Sequence, residues 1–387
     1  MKSFKVYDKQ PVDLIILDEN GAKWLRYCLP KSISFVVLKN RAIFPVIKSF
    51  SFLLLFTKFF VMTRRPRVSS ISAIISILSP NVVITFIDNY SGLGEIQTLF
   101  PDKKIIAVQN SMRNKWGMNQ FIKTLKPSKE GRNNGTDLPI YFGYGKHEKH
   151  LFDEYSLTVK KYIPIGSIKM SIFHTFFNKD VSRKKGIRFV SQYRKNIEQS
   201  NNKISVNYYK VYKKILQNIF KFAKNNNIDF SIILVGENGQ AKLELEVKYY
   251  DNIFGSNNVD YLINDSNNLS SYKHCFDSNL IVTMNSSLGF EFFGNGSKVL
   301  FCNTSDNILL SGFQEEKLYD EIPIECLLFS TSYIEISNKI LGLLDMNEKK
   351  YALNIKKSAN YYMSNTDVYS PLISLKKFIS DSFNIKN

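Results

Sequence analysis

Cysteine is scarce in this sequence. Cys28, Cys275, Cys302 and Cys326 are the whole complement in 387 residues, no two of them form a CxxC pair, and no paired-His pattern accompanies them. Neither a disulfide scaffold nor a zinc site is expected, and a reducing cytoplasm is the simpler setting. The N-terminal stretch MKSFKVYDKQPVD has no apolar run of the ~7–15 residues that mark a secretory signal. Several local signatures are missing as well: GxxxxGK[ST], GxSxG, HExxH, and GxGxxG after a strand. No Asp-x-Asp occurs, so a metal–carboxylate clamp on a diphosphate is not expected. Any phosphate bound here must be met by backbone N–H groups, hydroxyls and cationic side chains.

What is present is an ample apolar complement and an excess of positive charge. Apolar residues make up 44% and charged residues 22%, enough to fill a sizeable core and to exclude wholesale disorder. The length suits two domains. Lys and Arg number 52 against 34 Asp and Glu, a net of +18, and residues 1–175 alone carry 26 against 12. Nucleic acid, an anionic membrane surface and a phosphorylated substrate all suit such a half. A Lys- and Asn-rich drift, seen in Asn225-Asn226-Asn227, accounts for the same excess without any partner.

Ile43 to Met62 reads IFPVIKSFSFLLLFTKFFVM, close to the ~20 apolar residues of a membrane-spanning helix. Lys48 and Lys58 lie inside it and Pro45 sits near its start, and a lysine at a span centre costs ~2.5–3.5 kcal/mol. The first reading is a buried or half-buried helix between two strands. A helix lying on the inner membrane, helped by Arg64-Arg65-Pro66-Arg67, is the second, and a true span the third.

Along the chain, short apolar runs alternate with helical stretches. Strands are expected at VDLIILD (12–18), SFVVLKN (34–40), NVVITFID (81–88), KKIIAVQN (103–110) and PIYFGYG (139–145). Helices are expected at GAKWLRYCL and SSISAIISIL, and a polar loop over Lys126–Asp137. A second series begins after a hinge-like region, with KYIPIGSIK (161–169) followed by the charged stretch SRKKG (182–186) and the join expected near residues 165–185. Beyond it, strands are expected at IRFVSQYR (187–194), IDFSIILVG (228–236), DSNLIVTMN (277–285) and SKVLFCN (297–303), with an amphipathic helix over Val206–Asn225 and a helical C-terminal third. Continuous apolar strands separated by helices point to parallel sheets covered on both faces. The expected plan is two doubly wound α/β domains, 1–170 and 171–387, with the last helices able to cross back.

The run Met284-Asn285-Ser286-Ser287-Leu288-Gly289-Phe290-Glu291 carries the most chemistry. An apolar strand feeds Asn-Ser-Ser and then a helix. A helix N-terminus offers unpaired N–H groups and partial positive charge to a phosphate, and the hydroxyls add donors. An ordinary serine cap explains the same residues.

FDSNLIVTMNSSLGFEFFGNGSKVLFCN resembles the donor-site signature of bacterial surface-carbohydrate (capsule and O-antigen) glycosyltransferases of GT-B type. TFIDNYSGLGEIQTLFPDKKIIAVQNSMR (85–113), YFGYG (141–145), YIPIGSIK (162–169) and IRFVSQYR resemble the same group, spanning most of residues 80–305. The resemblance implies two Rossmann-like domains facing across a cleft, with a nucleotide-sugar donor in the C-terminal one and a glycan or lipid-linked glycan acceptor at the N-terminal one. It implies that Asn285, Ser286 and Ser287 meet the donor phosphate, and that Glu291 contacts the ribose or braces the loop. Paired serines also occur in transferases that use CMP-linked ulosonic acids of Kdo or sialic type. Their usual His-Pro dipeptide is absent here, and Val235-Gly236-Glu237-Asn238 does not replace it.

GT-B chemistry without a metal or other cofactor needs cations and donors at the leaving group. Arg194, with Gln192 and Tyr193 beside it, is the first candidate and Lys298 a weaker one. A solvated arginine at a strand end is the plain alternative. An inverting transfer needs a general base, and Asp88 follows the strand NVVITFID at the edge where open sheets bind ligands. Asp18 and Glu19 hold the equivalent place after the first strand, and each of the three carboxylates also suits a cap or loop. Asn110, Ser111 and Arg113 lie on the same rim, placed for an acceptor. His274 and Cys275 read as packing residues. The expected function is metal-independent glycosyl transfer at the cytoplasmic face of the inner membrane. A polyol-phosphate transferase of teichoic-acid type, a sugar epimerase, and a non-catalytic basic binding protein are the alternatives. No RNA-binding or helix-turn-helix signature favours nucleic acid.

Overall fold

The computed structural model describes residues 11–38, 50–86, 88, 90–113, 118–119, 121–122, 137–178, 186–194, 203–236, 240–265, 268–302, 321–364 and 367–384. The chain forms two compact units. The first comprises Met1–Ser111, Gly117–Lys169 and Tyr369–Asn387, and the second Met112–Trp116 and Met170–Val368. The expected loop 126–137 falls almost wholly outside the described residues.

The first unit holds a parallel six-stranded sheet of β1 (Leu14–Ile16), β2 (Phe35–Val37), β3 (Val82–Thr85), β4 (Lys104–Val108), β5 (Asp137–Gly143) and β6 (Thr158–Pro164), in the order β2-β1-β3-β4-β5-β6. β1 and β3 are buried along their whole length, because helices cover both faces of a parallel sheet. β6 is an edge strand opposite β2, and its residues, Lys160 and Lys161 among them, are exposed or half-buried. The helices are α1 (Glu19–Leu25), α2 (Phe50–Thr63), α3 (Pro66–Leu78), α4 (Leu93–Leu99) and α5 (Lys146–Glu154).

α2 and α3 form a helical hairpin. Arg64 turns the corner with φ +51°, and Thr63 Oγ1 lies 3.0 Å from Ser69 Oγ across it. Phe59 is buried and Leu55 and Phe56 pack on the core, whereas Leu53, Leu54, Phe60, Val61 and Met62 are exposed. The helix is therefore half-buried. Among the described residues no helix is long and apolar enough to cross a membrane. Residues 43–49 of the apolar run lie outside the described ones.

The second unit opens with α6 (Ile168–Ile172), which straddles the boundary, followed by one π-helical turn to Phe177. Its sheet comprises β7 (Ile187–Val190), β8 (Phe230–Ile233), β9 (Asp260–Leu262), β10 (Leu280–Thr283), β11 (Val299–Cys302) and β12 (Leu327–Leu328), all parallel, in the order β12-β11-β10-β7-β8-β9. β7, β8, β10 and β11 are fully buried, as their Ile-, Val- and Phe-rich runs require. Around them lie α7 (Lys203–Asn225), α8 (Gln240–Phe254), α9 (Ser270–Phe276), α10 (Ser287–Gly294), α11 (Tyr333–Asp345) and α12 (Glu348–Tyr362). On α7, Val211, Ile215, Ile219 and Phe222 are buried at helical spacing. The last helix, α13 (Ser370–Ser382), belongs to the first unit, where Phe378 packs edge-on against Phe142 at 5.1 Å.

Candidate functional site

In the second unit the strand order reverses between β7 and β10. Such a reversal opens a crevice at the carboxyl ends of the strands, where open α/β sheets bind ligands. Gln192 and Asn285 lie just past those two ends and pair with each other. Asn285 N–H donates to Gln192 Oε1 at 2.9 Å, and Gln192 Nε2 donates to Asn285 Oδ1. The amide pair ties the two strand ends together directly before α10.

Ser286 is the N-cap of α10 in extended conformation, and its Oγ accepts the Leu288 N–H at 3.3 Å. Its own N–H donates to Thr283 Oγ1 at 3.1 Å. Ser287 Oγ accepts the backbone N–H of Met112 at 2.9 Å, and Met112 belongs to the short segment grouped with this unit. A hydroxyl oxygen that accepts still has its own O–H to donate. Two donors therefore stand at a helix end that carries about half a positive charge. Gly289 lets α10 lie close on β10: a Cβ there would come within 2.6 Å of Thr283 Cγ2. Phe290, Phe292 and Phe293 anchor the inner face, with the Phe290 ring 4.6 Å from that of Phe301. Glu291 is buried and accepts the Tyr272 hydroxyl at 2.7 Å, so it braces α10 against α9.

Arg194 is exposed beyond β7, and its backbone N–H donates to the Tyr209 hydroxyl at 2.8 Å. Behind it lies a buried polar network that the sequence did not disclose. Glu246 of α8 accepts the Ser191 hydroxyl, the Val235 N–H at 3.0 Å and the Gly236 N–H at 3.4 Å. Ser191 Oγ lies 2.6 Å from the Tyr250 hydroxyl, which lies 2.7 Å from that of Tyr212. Burial pushes the Glu246 carboxyl above its usual range, against those three hydrogen bonds and the charge of Arg194, which pull it down. Burial likewise raises Tyr212 and Tyr250 well above the usual phenol range. The Tyr-Tyr pairs at 208–209 and 249–250 were the available sequence signal.

Lys298 does not serve as a phosphate cation in this crevice. It precedes β11, at the amino edge of the sheet, and its Nζ donates to the carbonyls of Leu344 (3.0 Å) and Met346 (2.6 Å) at the end of α11. Cys275 is buried, and burial lowers the pKa of His274, which suits packing residues.

In the first unit the order reverses between β1 and β3, and Asp18 sits at that point. It caps α1 by accepting the Gly21 N–H, and it accepts Thr85 Oγ1 at 3.0 Å and the Phe86 N–H at 3.2 Å. With three donors of the fold on a buried carboxylate, Asp18 braces two strand ends and is not set up to abstract a proton. Glu19, the first residue of α1, is exposed. Asp88 is buried beyond β3 and accepts the Tyr141 hydroxyl at 2.6 Å. The Tyr141 ring stacks on Tyr162 at 5.7 Å.

Asn110 and Ser111 are exposed after β4, while Arg113 is buried and groups with the second unit. Between them and the sheet lies a second network missed from sequence. Buried Gln109 donates to Glu148 Oε1 at 2.5 Å and to the Ser111 carbonyl at 3.0 Å, and it accepts the Tyr144 N–H at 2.6 Å. Among the described residues no group of three or more His, Cys, Asp or Glu side chains could hold a metal ion.

A family model described as "putative O-antigen biosynthesis protein" matches residues 106–366, about two thirds of the chain. The chain belongs to this family. The matched region includes the whole Asn285–Glu291 run and the β7 end with Gln192 and Arg194, and it leaves out Asp18, Glu19 and Asp88. No curated protein matches the chain. Solved structures resemble this O-antigen family member over nearly their full length. A "putative UDP-N-acetylglucosamine 2-epimerase" from Listeria monocytogenes superposes with a TM-score of 0.56 at 13% identity, covering 97% of this chain and 98% of that one. UDP-GlcNAc 2-epimerase from Methanocaldococcus jannaschii, in complex with UDP-GlcNAc and UDP, gives 0.53 at 12%, covering 94% and 99%. The wall teichoic acid polymerase TagF, in a crystal soaked with CDPG, gives 0.52 at 12%, covering 96% and 88%. At such identities the likeness concerns the fold: two parallel six-stranded, Rossmann-like units of GT-B type.

Proposed function

We propose that this protein is a transferase that moves a sugar from a nucleotide-activated donor to a surface-glycan acceptor, which is free or lipid-linked and lies at the cytoplasmic face of the membrane. The carrying observation is the pair of serine hydroxyls at the positive end of α10, set in the switch-point crevice by the Gln192–Asn285 pair. Leaving-group charge that develops on a phosphate oxygen would meet the Ser286 and Ser287 O–H groups and the helix dipole, all fixed before reaction. Arg194, exposed beyond β7, is the cation of that site. Glu291 acts from beneath, through Tyr272, by holding α10 in place. In this reading the leaving group needs no metal ion. Asp88 is the carboxylate proposed to take the acceptor proton, with Tyr141 orienting it.

Membership in the O-antigen family supports the glycan acceptor, and the structures that share the fold support a nucleotide-linked donor. The 2-epimerases and TagF favour a second reading within the same site, epimerisation of a nucleotide sugar or transfer of a polyol phosphate. A CMP-linked ulosonic acid draws on the serine pair alone. A thermal-unfolding panel with CMP, UDP, GDP, dTDP and CDP tests all of these. One nucleotide should raise the midpoint in proportion to the logarithm of its concentration, and that rise should vanish when both serines are replaced. If no nucleotide shifts the midpoint, the donor site is refuted.

A further inference from the structure

Between Gly21 and Ile87 the chain carries ten lysines and arginines and not one aspartate or glutamate. That stretch contains α2, whose solvent face is largely apolar; the exposed Thr57 in its middle turns its hydroxyl to the Leu53 carbonyl at 2.9 Å. Leu53, Leu54 and Val61 are 60%, 62% and 71% exposed, and Phe60 joins them on the same side. At 100° per residue, Phe60, Leu53, Val61 and Leu54 span about a third of the helix circumference, and Lys58 flanks them. A helix that only covers a sheet hides its large side chains, as α2 does with Phe59. Four exposed on one side, with only Thr57 among them, form a largely apolar patch, which marks an interaction surface.

The corner beyond Met62 is built to hold charge at one end of that patch. Arg64 is exposed at the turn. Arg65 is fixed by Glu95 at 3.2 Å and by the Ser91 hydroxyl and carbonyl, and the Arg67 guanidinium lies 4.3 Å from the Tyr90 ring centroid. These contacts tie the start of α3 to α4 and the residues just before it. A second protein surface would need its own acidic complement to match, whereas an anionic bilayer supplies both phases at once. Its acyl layer takes Leu53, Leu54, Phe60 and Val61, and its headgroups take Lys58 and Arg64.

We infer that the outer face of α2 and the arginine corner dock this protein on an anionic phospholipid bilayer, with the helix lying in the interface plane. The inference extends the lipid-linked acceptor of the function proposed above and places the anchor on the first unit. It does not depend on which nucleotide, if any, the second unit binds.

The test is sedimentation of the full-length protein with vesicles of 3:1 phosphatidylcholine and phosphatidylglycerol, and with phosphatidylcholine alone. Binding is expected to the anionic vesicles, and it should weaken at least about tenfold on raising salt from 0.1 to 0.5 M. The variant Leu53→Ser, Leu54→Ser, Val61→Ser should lose at least about tenfold in vesicle affinity with an unfolding midpoint close to wild type, because the face is already in water. The single change Leu54→Cys gives a second readout. All four native cysteines are buried, so a polarity-sensitive dye attaches at that position and should shift to the blue on vesicles. Wild-type protein that stays in the supernatant, or a triple variant that binds as well as wild type, overturns the inference. So does a solution dimer that the triple variant dissociates, since the face would then join two copies. No arm of this experiment reads nucleotide binding or transfer, so it can fail while the proposed function stands, and the reverse.

Discussion

Replacing Ser286 and Ser287 together by alanine should separate the structural work of these residues from their chemical work. The structural part is small. Ser286 Oγ caps the Leu288 N–H, and losing an N-cap costs about 1 kcal/mol. Ser287 Oγ accepts the Met112 N–H, and that bond contributes about 1 kcal/mol more. About 2 kcal/mol leaves a domain of ordinary stability folded. The chemical part is larger. A hydrogen bond to a charged group contributes about 1.5–3 kcal/mol, so two aimed at a phosphate oxygen amount to roughly 3–6 kcal/mol. That range corresponds to a loss of roughly 10²–10⁴ in turnover. The assay pairs initial transfer rates with thermal unfolding in the presence and absence of the stabilising nucleotide. The Ser286→Thr, Ser287→Thr variant, which keeps both hydroxyls, should retain most of the rate. A double alanine variant that keeps the wild-type rate and the full nucleotide-induced shift would refute the phosphate site at α10.

Four further outcomes follow from the same geometry. Glu246 has a folded-state pKa raised chiefly by burial, so its contribution to stability is fully present below its ordinary value and is lost as pH rises through the raised one. Urea midpoints measured from pH 4 to 7 should therefore fall less in Glu246→Gln than in wild type, and equal slopes would discount that carboxyl. Asp18→Ala strands the Gly21 and Phe86 N–H groups and the Thr85 hydroxyl, and should cost about 2–4 kcal/mol by chemical denaturation; an unchanged midpoint with abolished activity would restore Asp18 as a base. Asp88→Asn should lower kcat far more than it changes KM, and an unchanged kcat dismisses Asp88 as the proton acceptor. Treatment with EDTA should leave the transfer rate as it was, and a loss restored by Mg²⁺ or Mn²⁺ would contradict the metal-free leaving-group step.

The central strands were legible because burial on both faces writes them as unbroken apolar runs: LII, VVIT, IIAV, LIVT and VLFC. Of the edge strands, β2 was legible in SFVVLKN, and β6, β9 and β12 were not. β9 and β12 have three and two residues, and β6 carries lysines where it meets solvent. The Asn-Ser-Ser entry to α10 was visible because a strand, a cap and a helix follow one another within a few residues. Side chains whose partners are distant in sequence could not be read in the same way. Glu246 meets Ser191 across 55 positions, and Gln109 meets Glu148 across 39. Asp18 was ambiguous in principle, since an N-cap and a general base occupy the same place after a strand. Lys298 misled because periodicity does not say which end of a strand faces the crevice, and its carbonyl partners lie 46 and 48 positions away.

The return of α13 to the first unit bears on how the chain is made. Leu375 and Ile379 are fully buried there, and Ser382 receives a hydrogen bond from Lys104 Nζ at 3.0 Å. Domains usually fold in order as they leave the ribosome. Here the lobe whose strands emerge first still lacks its closing helix when the other lobe has been translated in full. Until α13 itself is made, the side of the early sheet that receives Phe378 stays open to water.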